Sequence, residues 1–131
     1  VIKIGIDIHG VVDRYPEVFS FLTYSIIGNS SYFRGNDNQI HIITGSSWNL
    51  EIEKFLNIIN IYYTHHFSVT DYLLEKGEAV IWKDSKNPFF ADDVWNKAKA
   101  EYCERNKINF HFDDSNTYGQ YFKTTKYIKV G

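Results

Sequence analysis

Three short stretches carry side chains that could do chemistry together: Asp7-Ile8-His9-Gly10, Thr44-Gly45-Ser46-Ser47 and Asp113-Asp114-Ser115. Each follows an apolar run of the kind that forms a buried strand. The first run, residues 1–12, is rich in β-branched residues and has no polar face, so it reads as a central strand broken at Asp7. Gly10 is free to take a backbone angle there that other residues resist. If the strands are parallel, their C-terminal ends share one edge, and that edge is where open α/β sheets bind ligands. Asp7, Asp113 and Asp114 would then meet in one cleft. Carboxylates packed so closely repel each other; a divalent cation resolves the repulsion, and oxygen ligands favour Mg2+. A threonine hydroxyl and free backbone N–H groups at a helix start beside that cation suit a phosphate.

The segments between supply the elements such a cleft needs. Tyr15-Pro16-Glu17 marks a helix start, after which Val18, Phe19, Leu22 and Ile26 recur at helical spacing. Residues 28–31 end that helix, and residues 34–38 form a second polar turn before a short strand over 39–43. Ile52, Phe55, Leu56 and Ile59 share one face of a second helix. A third strand is expected over 61–69, a short helix over 70–75 ending near Gly77, a further strand over 79–82 and a loop over 83–91 near the active face. The helical pattern returns over 92–106, with Trp95, Ala98 and Tyr102 inward and Asp92 as a cap. A core strand follows over 108–112, and the tail over 116–131 holds a turn of helix and an edge strand over 127–130. Helices alternating with strands imply right-handed crossovers and a mainly parallel sheet, hence an α/β domain of three α/β/α layers, Rossmann-like in outline.

Composition narrows the classes. With 131 residues, 44% of them apolar and 18% aromatic, and a formal charge of −2, the chain is expected to fold as one globular domain, residues 1–131. Near-neutrality gives no basic footprint for a nucleic-acid duplex, while a small phosphorylated substrate stays compatible. Cys103 is the lone cysteine, which excludes an intramolecular disulfide or a Cys-rich zinc site and suits a reducing compartment. No stretch resembles a signal peptide, and no apolar run approaches the roughly 20 residues of a membrane span. A cytoplasmic protein without a membrane partner is expected.

Four motifs stand in order along nearly the whole chain: Asp7-Ile8-His9-Gly10-Val11, Ile42-Ile43-Thr44-Gly45, a lysine, and Phe112-Asp113-Asp114-Ser115. In this the chain resembles the haloacid dehalogenase superfamily of phosphatases and phosphotransferases. The resemblance implies a Rossmann-like domain in which Asp7 attacks a phosphoryl group and becomes a transient aspartyl-phosphate. It also implies Mg2+ held by the Asp7 side chain, the backbone carbonyl of His9 and an acid of the last motif, with Asp114 the direct ligand and Asp113 in support. Thr44 would hydrogen-bond a phosphoryl oxygen, assisted by backbone N–H groups at Ile8 and around Gly45 and Ser46. Lys99 fits the family lysine best, because Lys99-Ala100-Glu101-Tyr102-Cys103 precedes the Asp-Asp ending as in small members. Lys86, before Asn87-Pro88, resembles the form in larger members, and Lys83 and Lys97 lie in the same interval.

Two departures bear on activity. His9 stands where the family usually has a second aspartate, the acid–base residue, and Val11 stands where it often has threonine. Imidazole does acid–base work near neutral pH, so His9 is either a working substitute or the mark of a domain that binds phosphate or a partner without turnover. His41, His65, His66 and His111 read as structural. Only 36 residues separate Asp7 from Thr44, leaving little room for the cap insertion that selects substrates in the family, so the site is expected to be open unless a homo-oligomer supplies a lid. Trp82, Phe89 and Phe90 either stack on a nucleobase or pack in the core or at a dimer contact. The expected activity is magnesium-dependent hydrolysis of a small phosphomonoester, nucleotides among the candidates.

Overall fold

The computed structural model describes residues 1–28, 37–78, 80–82 and 88–131. The turn expected over 28–38 falls mostly outside the described residues, as do Ala79, Lys83 and Lys86. The chain is α/β. Five strands, β1 (Lys3–Ile6), β2 (Gln39–Thr44), β3 (His65–Ser68), β6 (Phe110–Asp113) and β7 (Lys126–Lys129), form a sheet in the order β3-β2-β1-β6-β7. Every pairing in it is parallel. β1 lies at the centre, with Ile4 opposite Ile40 and Phe110, and Ile6 opposite Ile42 and Phe112.

Strand alternation divides the core between the two faces. Ile4, Ile6, Ile40 and Ile42 pack with Phe19 of α1 (Pro16–Ile27) and Leu56 of α2 (Leu50–Ile58). On the other face Ile43 meets Cys103 of α4 (Asp92–Arg105), while Val69 and Leu73 of α3 (Val69–Lys76) meet Ala98. The helix ends follow local chemistry. Pro16 opens α1, Asn49 caps α2 by accepting from the Ile52 N–H at 2.9 Å, and Gly77 closes α3 in the left-handed region at φ 82°. No helix among the described residues is long and apolar enough to cross a membrane.

Several boundaries differ from expectation for identifiable reasons. Residues 61–64 are not strand, because the Ile61 N–H turns back to the Leu56 carbonyl at 2.9 Å and the chain is still leaving α2. Ile108 likewise closes on the Cys103 carbonyl at 3.0 Å, which delays β6 to Phe110. Val18 is 59% exposed, and the inner side of α1 is carried by Phe19, Leu22, Thr23 and Ile26. Asp92 is the first helical residue of α4 rather than its cap; Ala91 takes that place with no side-chain bond. The loop expected over 83–91 contains a strand, β5 (Pro88–Phe90), paired antiparallel with β4 (Val80–Trp82). Phenylalanines favour an extended backbone, and Pro88 sits at the strand's first residue, where its missing N–H is tolerated.

Candidate active site

Because β1, β2 and β6 are parallel, Asp7, Thr44 and Asp113 arrive at one edge of the sheet. Asp7 follows β1 directly, and its N–H donates to the Phe112 carbonyl at 3.0 Å. The chain then makes one wide turn, Ile8–Val12, with Gly10 at φ 81°. A Cβ on Gly10 would collide with the Asp114 carboxylate, so glycine meets two requirements there: backbone sign and close approach.

α4 carries Lys99 beneath this edge. The residue is 4% exposed, and Nζ lies 3.1 Å from Asp7 Oδ1 and 2.8 Å from Asp113 Oδ2. Lys97, two residues earlier, lies on the outer side of the helix and pairs with Glu101 at 3.9 Å. The buried Asp113 has both oxygens engaged: Oδ2 also accepts from His111 Nε2 at 3.0 Å, and Oδ1 accepts from the Ser115 N–H at 3.2 Å. His111 therefore touches the acidic pair, whereas its sequence position suggested a purely structural part. A signal was present, since His111 and Asp113 are two apart on a strand and share a face. None of the other three histidines lines the cleft: His41 bonds Tyr102 Oη at 2.7 Å and stacks on His65, and His66 stacks on Trp48.

Burial and charge set the protonation states. Burial pushes the Asp7 carboxyl up to about 6, with Lys99 opposing and the Asp113 charge adding. Burial acts on Asp113 in the same sense, but the His111 hydrogen bond and the Lys99 charge outweigh it and hold the carboxyl well below its usual range. Lys99 is raised, because the attraction of Asp7 and Asp113 exceeds the cost of burying its charge. Burial lowers His111, so the ring is neutral and Nε2 carries the proton it shares with Asp113. Burial also raises the Cys103 thiol to about 12, which makes it inert.

Carboxylate oxygens of Asp7, Asp113 and Asp114 all lie within 4.8 Å of one another. Three carboxylates against one ammonium leave two uncompensated negative charges, and Asp114 is exposed toward the cleft while Asp113 is already bonded to Lys99, His111 and the Ser115 N–H. The donor set fits a hard divalent cation reaching Asp7 and Asp114, with Asp113 behind.

No protein-family model, curated protein or solved structure matches this chain.

The rim is built differently. His9 is exposed, with Nδ1 3.5 Å from Asp13 Oδ2 and Nε2 3.5 Å from Ser46 Oγ. Asp13 Oδ1 accepts from the Gly10 N–H at 2.7 Å, which ties the turn around His9. Asp13 was not singled out from the sequence; an acid four residues beyond a histidine in a tight turn was the available signal. Gly45 and Ser46 line the cleft, but Thr44 is fully buried and does not, its Oγ1 accepting from the Ser46 N–H at 3.3 Å. The Ile8 side chain is in the core, and its backbone N–H helps to hold Asp7 down. The cleft encloses about 950 Å³, and Phe89, Phe90, Trp95 and Tyr118 are among its lining residues. Trp82, at the start of the hairpin's connection, is not among its lining residues.

Proposed function

We propose that the chain is a magnesium-dependent phosphomonoester hydrolase of the haloacid dehalogenase type, with Asp7 as nucleophile. The observation that carries this reading is the position of Lys99, which bridges Asp7 and Asp113 at the ends of two adjacent parallel strands, beside the exposed Asp114. A carboxylate that attacks a phosphate dianion must overcome repulsion, and fixed positive charge aimed at the transferring group is the general solution. Asp7, Asp114 and the His9 carbonyl would hold Mg2+, which supplies Lewis-acid neutralisation of the phosphoryl oxygens.

The chain's own residues account for the rest. A carboxylate oxygen of Asp7 bonds to phosphorus as the ester P–O bond breaks. The departing oxygen takes the proton from His9 Nε2, which lies 3.5 Å from Ser46 Oγ at the rim. Water then attacks the aspartyl-phosphate and gives its proton to His9; phosphate leaves, and both residues return to their starting states. Lys99 keeps its proton throughout.

A panel of phosphomonoesters assayed for released phosphate, with and without Mg2+, tests the reading. Turnover should require the metal, and Asp7→Asn should abolish it while leaving the circular dichroism spectrum unchanged. Activity undiminished in Asp7→Asn, or undiminished by a chelator, would overturn the assignment.

A further inference from the structure

The phosphatase reading, on which this inference rests, leaves the far side of the cleft without a task. An aromatic wall begins at the floor and runs outward. Lys99 Nζ lies 5.2 Å from the centre of the Tyr118 ring, Tyr118 Oη accepts from Trp95 Nε1 at 3.0 Å, and Trp95 stacks on Phe90 at 6.0 Å with ring planes 12° apart. The wall is held rigidly: a Cβ on Gly45 would lie 2.9 Å from the Trp95 ring, and Phe90 packs with Val69, Leu73 and Ala98 between α3 and α4. Phe89, 47% exposed, also lines the cleft, from the opposite face of the hairpin strand to Phe90. The lining also includes the polar residues Ser46, Ser47 and Asn49.

A cleft of about 950 Å³ far exceeds what a phosphate ion fills, and its size belongs to the range of sites for whole cofactor-sized ligands. A single aryl ring on the phosphate would meet Tyr118 and leave the remainder of the wall wet. Two ring systems in series, a sugar near Tyr118 and a planar base beyond it, would engage more of these rings. Lys99 is the only lysine or arginine among the described lining residues, while Asp92 and Asp114 add negative charge, so the cleft offers compensation for one phosphate and not for two or three. We infer that the substrate is a nucleoside monophosphate, with its phosphate over Asp7 and Lys99 and its base laid on the wall formed by Phe89, Phe90, Trp95 and Tyr118.

The test compares kcat/KM for adenosine and uridine monophosphates with ribose 5-phosphate, adenosine diphosphate and phosphotyrosine. Both nucleoside monophosphates should exceed ribose 5-phosphate by about tenfold or more, the effect of one base stacked on an aromatic side chain, and the diphosphate should be poorer than the monophosphate. Phe89→Ala, at a partly exposed position, should lower the nucleotide to ribose-phosphate ratio by about the same factor. Equal rates for ribose 5-phosphate, or a preference for phosphotyrosine, would overturn the inference while leaving the phosphatase standing. If no phosphomonoester is turned over, the phosphatase reading falls, and equilibrium dialysis of adenosine monophosphate against ribose 5-phosphate with Mg2+ decides the inference. Tighter nucleotide binding sustains the base site; equal or absent binding removes it.

Discussion

The floor and the rim of the cleft solve the same electrostatic problem in opposite media. On the floor, Asp7, Lys99, His111 and Asp113 are buried and joined by contacts of 2.8 to 3.1 Å. At the rim, the side chains of His9 and Asp13 are 71% and 39% exposed and stand 3.5 Å apart. Interactions between charges strengthen as water is excluded, and an unpaired charge becomes correspondingly expensive, so the floor is fixed by its own energetics. Water screens the rim and makes its contacts weak, which suits groups that must gain and lose protons. Under the proposed mechanism the floor provides prearranged charge and the rim provides exchange, and substitutions should separate the two by size of effect.

Lys99→Ala should give the largest change. It strands two buried carboxylates against each other, and removing one partner of a buried ion pair costs about 3–5 kcal/mol. Urea unfolding should show that loss, and equilibrium dialysis of phosphate should show binding weakened by about tenfold or more. A variant less than about 1 kcal/mol destabilised, with phosphate binding intact, would mean that the floor is not organised by this lysine.

The contrast extends to the histidines, through pH. Burial, then the charges of His65 and Lys3, push His41 down to about 4, whereas an unfolded chain's imidazole titrates near 6.5. Between those values the unfolded state binds a proton that the folded state refuses. His41 thus contributes stability that is complete above about 6.5 and is lost as pH falls toward 4. Asp7, raised to about 6, acts in the opposite sense over much of the same window, so the diagnostic quantity is a difference between proteins. Between pH 7 and 4.5 the wild type should lose about 2–3 kcal/mol more than His41→Asn. Parallel profiles would show that His41 is not buried as a neutral ring.

His9 brings the comparison to catalysis. Removing an acid–base group slows a reaction by about a hundredfold or more, so His9→Ala should lower kcat by that factor, with the smallest losses for the best leaving groups, and leave stability nearly unchanged. His9→Asp should keep or raise activity. Should the wild type be inert on every phosphomonoester while His9→Asp is active, the rim no longer supports chemistry and the domain is a binder.

What the sequence made legible follows the same division. Asp7 and Asp113 were readable because apolar strands end at them, whereas Lys99 was singled out only through the resemblance of its surrounding stretch, and its depth on the inner side of α4 needed the fold. The parallel sheet followed from alternation of strand and helix. The hairpin and the position of Thr44 were not readable, for physical reasons. Pro88 disguised a strand as a loop, and the depth of Thr44 depends on how β2 is covered on both faces. The partnership of His111 with Asp113 needed the strand register, and that of Asp13 with His9 needed a turn whose geometry hangs on Gly10.

Asp13 should give the smallest effect and the sharpest test of the rim. Its Oδ1 holds the Gly10 N–H, while Oδ2 faces His9 Nδ1 and favours the tautomer that presents Nε2 to the cleft. Asn at this position keeps an acceptor for Gly10 but loses the charge beside the imidazole. Asp13→Asn should therefore lower kcat by up to about tenfold, leave KM nearly unchanged, and cost less than about 1 kcal/mol of stability, as for an exposed pair. Asp13→Ala releases the turn as well and should fall further in both kcat and stability. The two variants separate charge from scaffolding: if they are equally impaired, Asp13 acts only by holding the Gly10 turn, and if neither changes kcat, His9 works without a partner.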